Sequence, residues 1–162
     1  MDLKKFISWL NNPVPNISIT LFRTVFSFIL LIQTCYFISS GFIEHNIIEP
    51  FMLFPFITGL KPIPEMYLMI LSYIMLIANI GMLFNKTARI STLFFLCSFT
   101  YFWLLDKSYF NNHYYFMSLI CFILLLVEHN NSFKQKAYVN RWSLFALQAM
   151  VIITYLIAGI NK

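Results

Sequence analysis

The feature that most constrains this chain is the spacing of its charges. Uncharged runs of 20 residues separate Arg23 from Glu44, Glu65 from Lys86, Lys107 from Glu128 and Arg141 from Lys162, and a run of 16 separates Arg89 from Asp106. At a rise of ~1.5 Å per residue, about 20 residues cross a hydrocarbon core of roughly 30 Å. The spacing therefore predicts five spans. The run between Arg89 and Asp106 gives only about 24 Å by the same rise, so one of those two charges must sit at the interface. The runs are continuously apolar rather than alternating, which excludes a β-barrel. The expected fold is an all-α, polytopic membrane helix bundle with about five transmembrane helices, forming one domain over residues 1–162.

Composition agrees where it bears on this. Charged residues make up 10% of the chain, against roughly 25% in a soluble domain, and cannot clothe a water-exposed surface. The net charge of +5 does not indicate nucleic acid, because the basic residues stand in ones and twos at the edges of apolar runs. Cys35, Cys97 and Cys121 all lie inside those runs without a C-x-x-C pair, so apolar packing is expected of them and neither a disulfide nor a zinc site. Met1–Asn16 has no apolar h-region and no small-residue cleavage site, so no cleavable leader is expected.

The interval Asn46–Pro64 is apolar but carries Pro50, Pro55, Pro62 and Pro64. That much proline argues against a spanning helix and for a segment that lies along the interface, re-enters it, or covers a site. Orientation follows from the cations. Lys4, Lys5, Lys86, Arg89, Lys134, Lys136 and Arg141 fall on one side, with Arg23 near the same edge, while Lys61, Lys107 and Lys162 fall on the other. The positive-inside rule then puts the N-terminus in the cytoplasm and the C-terminus outside, in a membrane expected to be a bacterial inner membrane.

Polar residues inside the runs recur at helical spacing. Arg23, Ser27 and Thr34 share a face of the first span, Ser72, Asn79 and Lys86 of the second, Ser108, Asn111, Tyr115 and Ser118 of the fourth, and Gln148, Tyr155 and Lys162 of the fifth. Polar stripes avoid lipid, so these faces are expected to meet inside the bundle. Taken singly, each has a plain reading: Ser, Asn and Gln as glue between helices, His113 as an interfacial histidine, Asp106 and Lys107 as interface anchors with Asp106 capping the fourth span, Lys162 as a snorkelling lysine. No spacing of His, Asp, Glu or Cys suits a metal, and none is expected.

The run Asp106-Lys107-Ser108-Tyr109-Phe110-Asn111-Asn112-His113-Tyr114-Tyr115 resembles the signature loop of the vitamin K-dependent gamma-glutamyl carboxylases and their bacterial relatives, the horizontally transferred transmembrane (HTTM) family. Gly59–Pro64, the span Met66–Phe84 and Arg89-Ile90-Ser91 follow in that family's order, and Tyr155–Lys162 resembles the segment with its active-site lysine. The resemblance implies that reduced vitamin K or another quinol is the cofactor and that peptidyl glutamate is the substrate for carboxylation. It also implies that Lys162 is the base and His113 assists carbanion formation, with Asn111, Asn112, Asp106 and Lys107 supporting the site. A lysine acts as a base only when neutral, and a low-dielectric bundle mouth favours that form. Phe110 stands where the carboxylases usually carry Trp, and Ser108 where Thr is common. Those enzymes continue past the lysine with more helices and a large peptide-binding domain, so the chain corresponds to their N-terminal membrane portion. A second reading, a non-enzymatic membrane protein that binds a lipid or quinone or serves as a partner subunit, stays open on these residues.

Overall fold

A computed structural model describes residues 2–49, 54–107, 112–127 and 138–160. A short helix, α1 (Leu3–Leu10), leads into a three-residue strand, β1 (Pro13–Pro15), and then into α2 (Ile17–Ser39). A π-helical turn at Glu44–Ile48 follows, then α3 (Glu65–Met82), α4 (Ala88–Leu105), α5 (Asn112–Leu126), strand β2 (Tyr138–Asn140) and α6 (Arg141–Ile160). Helices adjacent in sequence pack against one another: α2 on α3, α3 on α4, α4 on α5 and α5 on α6. Together they form an all-α membrane bundle. The helices α2, α3 and α4 are long and apolar enough to cross a membrane, whereas the apolar stretches of α5 and α6 are shorter.

Each boundary has a local cause. Gly41, at φ +66°, takes the left-handed turn that ends α2, a backbone conformation that costs a glycine little. Pro64 precedes α3, where its missing N–H leaves no helical hydrogen bond unmade. Residues 54–64 form no helix and run as a turn-containing strap, the outcome that the prolines predict. Phe56 N–H donates to Leu104 O at 3.0 Å and Lys107 N–H to Phe54 O at 2.7 Å, so the strap is clipped to the end of α4. Tyr101 Oη adds to this, accepting from Ile63 N–H at 3.0 Å and donating to Lys61 O at 3.3 Å.

At the opposite end of the bundle, β1 and β2 pair antiparallel, with Val14 opposite Val139. Arg141 N–H donates to Asn12 O at 3.0 Å, which fixes the start of α6 beside the chain that enters α2. Two apolar clusters fill the interior. One, around Leu30, Met75, Phe95 and Phe102, sits among α2, α3 and α4, and the other, around Ile19, Ile120, Leu124 and Leu147, joins α2, α5 and α6.

The polar stripes divide sharply. Ser27, Thr34, Ser72 and Asn79 are buried, as their spacing predicts, and Asn79 Nδ2 donates to Thr34 Oγ1 at 2.7 Å across the α2–α3 seam. Gly81 allows α3 to approach α4 closely, since a Cβ there would overlap the Ser91 side chain. Charge spacing alone starts the first span after Arg23. The helix instead begins at Ile17 and takes Arg23 inside, only 1% exposed, where its guanidinium donates to Asn85 Oδ1 in the α3–α4 turn. The half-buried Asn85 acceptor in that turn is what lets the arginine be taken into the helix interior.

On α6 the expectation fails. Gln148 is exposed and Tyr155 is 74% exposed. The helix meets the bundle through Trp142, Leu144 and Leu147, and a groove lined by Phe22, Leu147, Gln148 and Ile152 separates it from α2. Without a facing helix, a polar stripe has nothing to turn toward. Tyr115 on α5 is likewise exposed, while Ser118 on the same expected stripe is buried. Among the cysteines only Cys121 is packed inside, and Cys35 and Cys97 lie on the outer faces of their helices.

Candidate functional site

The end of the bundle carrying the 54–64 strap also carries the motif that begins at Asp106. Asp106 caps the C-terminus of α4 in extended backbone, φ −145° and ψ 120°. Extended backbone sends consecutive side chains to opposite sides, and the two charged residues separate accordingly. Asp106 is 4% exposed and lines an internal cleft. This overturns its reading as an interface anchor, because the residue is buried in the cleft wall. Lys107 points the other way and is exposed, its ammonium 5.6 Å from the Phe56 ring centroid. Phe56 in turn meets Trp103 edge-on at 5.5 Å. The lysine fastens the strap by a cation–π contact.

The cleft lies among α2, α3, α4 and the start of α5, with Phe42 and Ile47 of the segment after α2 also on its wall. Its walls are aromatic and aliphatic, including Phe37, Phe95, Phe99, Phe102, Trp103 and Tyr114, and the polar groups lining it are Gln33, Thr34 and Asp106 besides Trp103 and Tyr114. Stacked and edge-on pairs hold these rings in place: Phe95 on Phe99 at 5.2 Å, Phe99 against Tyr114 at 5.5 Å and Phe37 against Phe102 at 5.2 Å. Trp103 Nε1 donates to Ser118 Oγ at 3.1 Å, which ties α4 to α5 at the same depth. The cleft has a volume of about 40 Å3, against the ~150 Å3 of a cavity that admits benzene. The lining therefore suits the ring of a quinol in chemistry, with flat apolar faces and a few polar atoms, but its volume is smaller than such a ring, which would enter only as the surrounding side chains move apart.

His113 stands in the first turn of α5 and is exposed, one residue from Tyr114, which reaches the cleft. Asn112 begins the same helix. Asn111 and Lys162 lie outside the described residues, as do Ser108–Phe110. The structure thus brings Asp106 into the cleft and leaves Lys107 and His113 on exposed surface at the same end of the bundle. Sequence reasoning missed Gln33 and Trp103, and named Tyr114 only as part of the signature run. The available signal was the aromatic density of the α4 end, where Phe99, Tyr101, Phe102 and Trp103 crowd just before Asp106. Among the described residues there is no group of three or more His, Cys, Asp or Glu able to hold a metal ion.

No solved structure matches the chain. The family model described as the HTTM domain matches residues 11–162, from β1 to the final lysine and across every helix except α1. With that match over nearly its whole length, the chain belongs to the HTTM family.

Proposed function

We propose that this chain is a quinol-linked, carboxylase-like membrane core, acting on peptidyl glutamate as its substrate. The family supports the coarser part of this reading, since the HTTM domain is associated with vitamin K-dependent carboxylase-like membrane proteins. The observation that supports the finer part is the aromatic cleft to which Asp106 and Tyr114 of the signature run contribute, with Asp106 buried in its wall. In this reading Phe99, Trp103 and Tyr114 hold the head of reduced vitamin K or another quinol by their flat faces. Asp106 and Thr34 orient its hydroxyls by hydrogen bonds. The quinol, when bound, supplies the electrons for reaction with dioxygen and so the strong base that the chemistry needs.

The protein's own part is binding and proton handling. Lys162, when neutral, takes the proton from the bound hydroxyl. His113 faces the peptide side and assists formation of the glutamyl carbanion, to which carbon dioxide adds. Asn111 and Asn112 support the peptide side, and Lys107 holds the strap. Glutamate is approached from the exposed surface that holds His113. In the membrane this end faces outside and the N-terminus lies in the cytoplasm of a bacterial cell. A cysteine at position 135 should therefore be shielded from impermeant reagent in intact cells, and labelling of it there would reverse the orientation.

The experiment is turnover in bilayers with reduced vitamin K, dioxygen, bicarbonate and a glutamate-containing peptide. Quinone epoxide and carboxylated peptide are expected, and both should vanish in Lys162→Ala and stay absent in Lys162→Arg, because arginine remains protonated. Saturable quinol binding without any product, in this chain and in one extended by its native downstream sequence, would replace the enzyme with a lipid- or quinone-binding membrane protein.

A further inference from the structure

The helix α1 has two unlike faces and only part of one is covered. At 100° per residue, Leu3, Phe6, Ile7, Trp9 and Leu10 fall within one arc of about 160°, with Lys4, Lys5 and Ser8 opposite. Phe6 and Trp9 meet Phe145 of α6 edge-on at 6.1 and 5.7 Å, and the Arg141 guanidinium lies 4.9 Å from the Trp9 ring centroid. Leu3 and Ile7, on the remainder of the arc, are 69% and 49% exposed. Asp2 Oδ1 accepts from Lys4 N–H at 3.4 Å, which caps the helix on its first turn.

Position makes this pattern informative. Eight residues reach only about 12 Å, far too little to cross a membrane. The pairing of β1 with β2 and the Arg141–Asn12 hydrogen bond hold α1 at the end of the bundle where α2 and α6 begin. The α3–α4 turn is at that end too, as the contact of Arg23 with Asn85 shows. Among the described residues there, besides the buried Arg23, the cations are Lys4, Lys5, Lys86, Arg89 and Arg141, against one acid, Asp2. The opposite end holds Glu44, Glu49, Glu65 and Asp106 against Lys61 and Lys107.

We propose that α1 lies in the plane of the membrane as an anionic-lipid contact. Leu3 and Ile7 enter the boundary between head groups and acyl chains, and Lys4 and Lys5 engage the phosphates of anionic phospholipids. The cationic excess selects that occupant over a second copy of this chain, whose matching end would carry the same sign of charge. Trp9, apolar in body and covered by a guanidinium, is suited to the same depth. The surface is separate from the cleft lined by Asp106 and does not depend on what that cleft binds.

Collision-accessibility spectroscopy on the full chain tests this. Cys35, Cys97 and Cys121 are replaced by alanine and a nitroxide is placed at Ile7→Cys or Ser8→Cys, in bilayers of phosphatidylcholine with or without phosphatidylglycerol. Position 7 should be reached by oxygen and shielded from a nickel chelate, and position 8 the reverse. Phosphatidylglycerol should deepen position 7, and Lys4→Gln with Lys5→Gln should remove that response, on the order of fivefold in lipid preference per lysine. Equal nickel access at both positions in anionic bilayers would place α1 in water and overturn the proposal. Shielding of both positions that grows with protein density would assign the face to a second copy and overturn it equally. A position 7 depth indifferent to phosphatidylglycerol would defeat the head-group contact.

Discussion

The α2–α3–α4 seam and the last turns of α6 carry the same kind of sequence and end in opposite environments. Both place polar residues on one helical face. In the seam that face is buried, with Asn79 bonded to Thr34 and Arg23 to Asn85. On α6 it is exposed, and the turns from Ile152 to Ile157 are exposed all round. The difference lies in the partner rather than in the periodicity. A polar stripe turns inward where a facing helix offers a donor or acceptor, and the seam has both that and Gly81 to bring the backbones close. The contrast also sets an order of energetic consequence, which reversible unfolding in mixed micelles can read.

The largest effect is expected at the closest approach. Gly81→Leu must push α4 away from α3 and should cost about 3 kcal/mol, in the range of overpacked cores. A loss under ~1 kcal/mol would mean that the seam is looser than described. Next comes Asn85→Leu, which removes an acceptor from the buried guanidinium of Arg23. About 2 kcal/mol is expected, because the lost bond is to a charge. Replacing Arg23 itself with Met should cost less, since no desolvated charge remains. If Arg23→Met proved the worse of the two, the arginine would have a role beyond packing.

Asn79→Ala loses the bond to Thr34 and leaves a small gap. It should cost about 1 kcal/mol, close to values for hydrogen bonds between membrane helices, and Thr34→Val should be non-additive with it in a double-mutant cycle. The smallest effects belong to α6. Gln148→Leu and Tyr155→Phe should stay within about 0.5 kcal/mol of the parent, as surface changes do. Losses at these two positions as large as that of Asn79→Ala would show that α6 buries its stripe, and the contrast between the regions would collapse.

Much of this was legible in the sequence, and the failures have physical causes. Charge spacing located α3 and α4 to within a few residues, because an uncharged run ends where the hydrocarbon ends. It misplaced the start of α2, because Arg23 was treated as a membrane edge although Asn85, 62 residues away in sequence, supplies its acceptor. Prolines marked 46–64 as non-spanning, but the clip of Phe54 and Phe56 onto the end of α4 depends on backbone groups that no side-chain pattern reports. The pairing of β1 with β2 rests on three residues each, two of them prolines in β1, too short for a period to register. At the candidate site, the motif drew attention to Asp106 and its neighbours. The cleft itself is built by aromatic residues that read as ordinary apolar filling until Trp103 and Tyr114 are seen to converge.

The central claim is that the signature run and the distant lysine segment form one site. It is tested most directly by the separation of positions 113 and 162 in the membrane-embedded chain. His113→Cys and Lys162→Cys, placed together in a background lacking Cys35, Cys97 and Cys121, should be joined by a bifunctional reagent spanning about 10 Å, the distance between adjacent packed helices. Double electron–electron resonance on the same pair should give a short, single distance. Efficient bridging with such a distance is the result expected of one site. A pair that the reagent never joins, with a distance well beyond that of neighbouring helices, would contradict it and leave the lysine outside the chemistry.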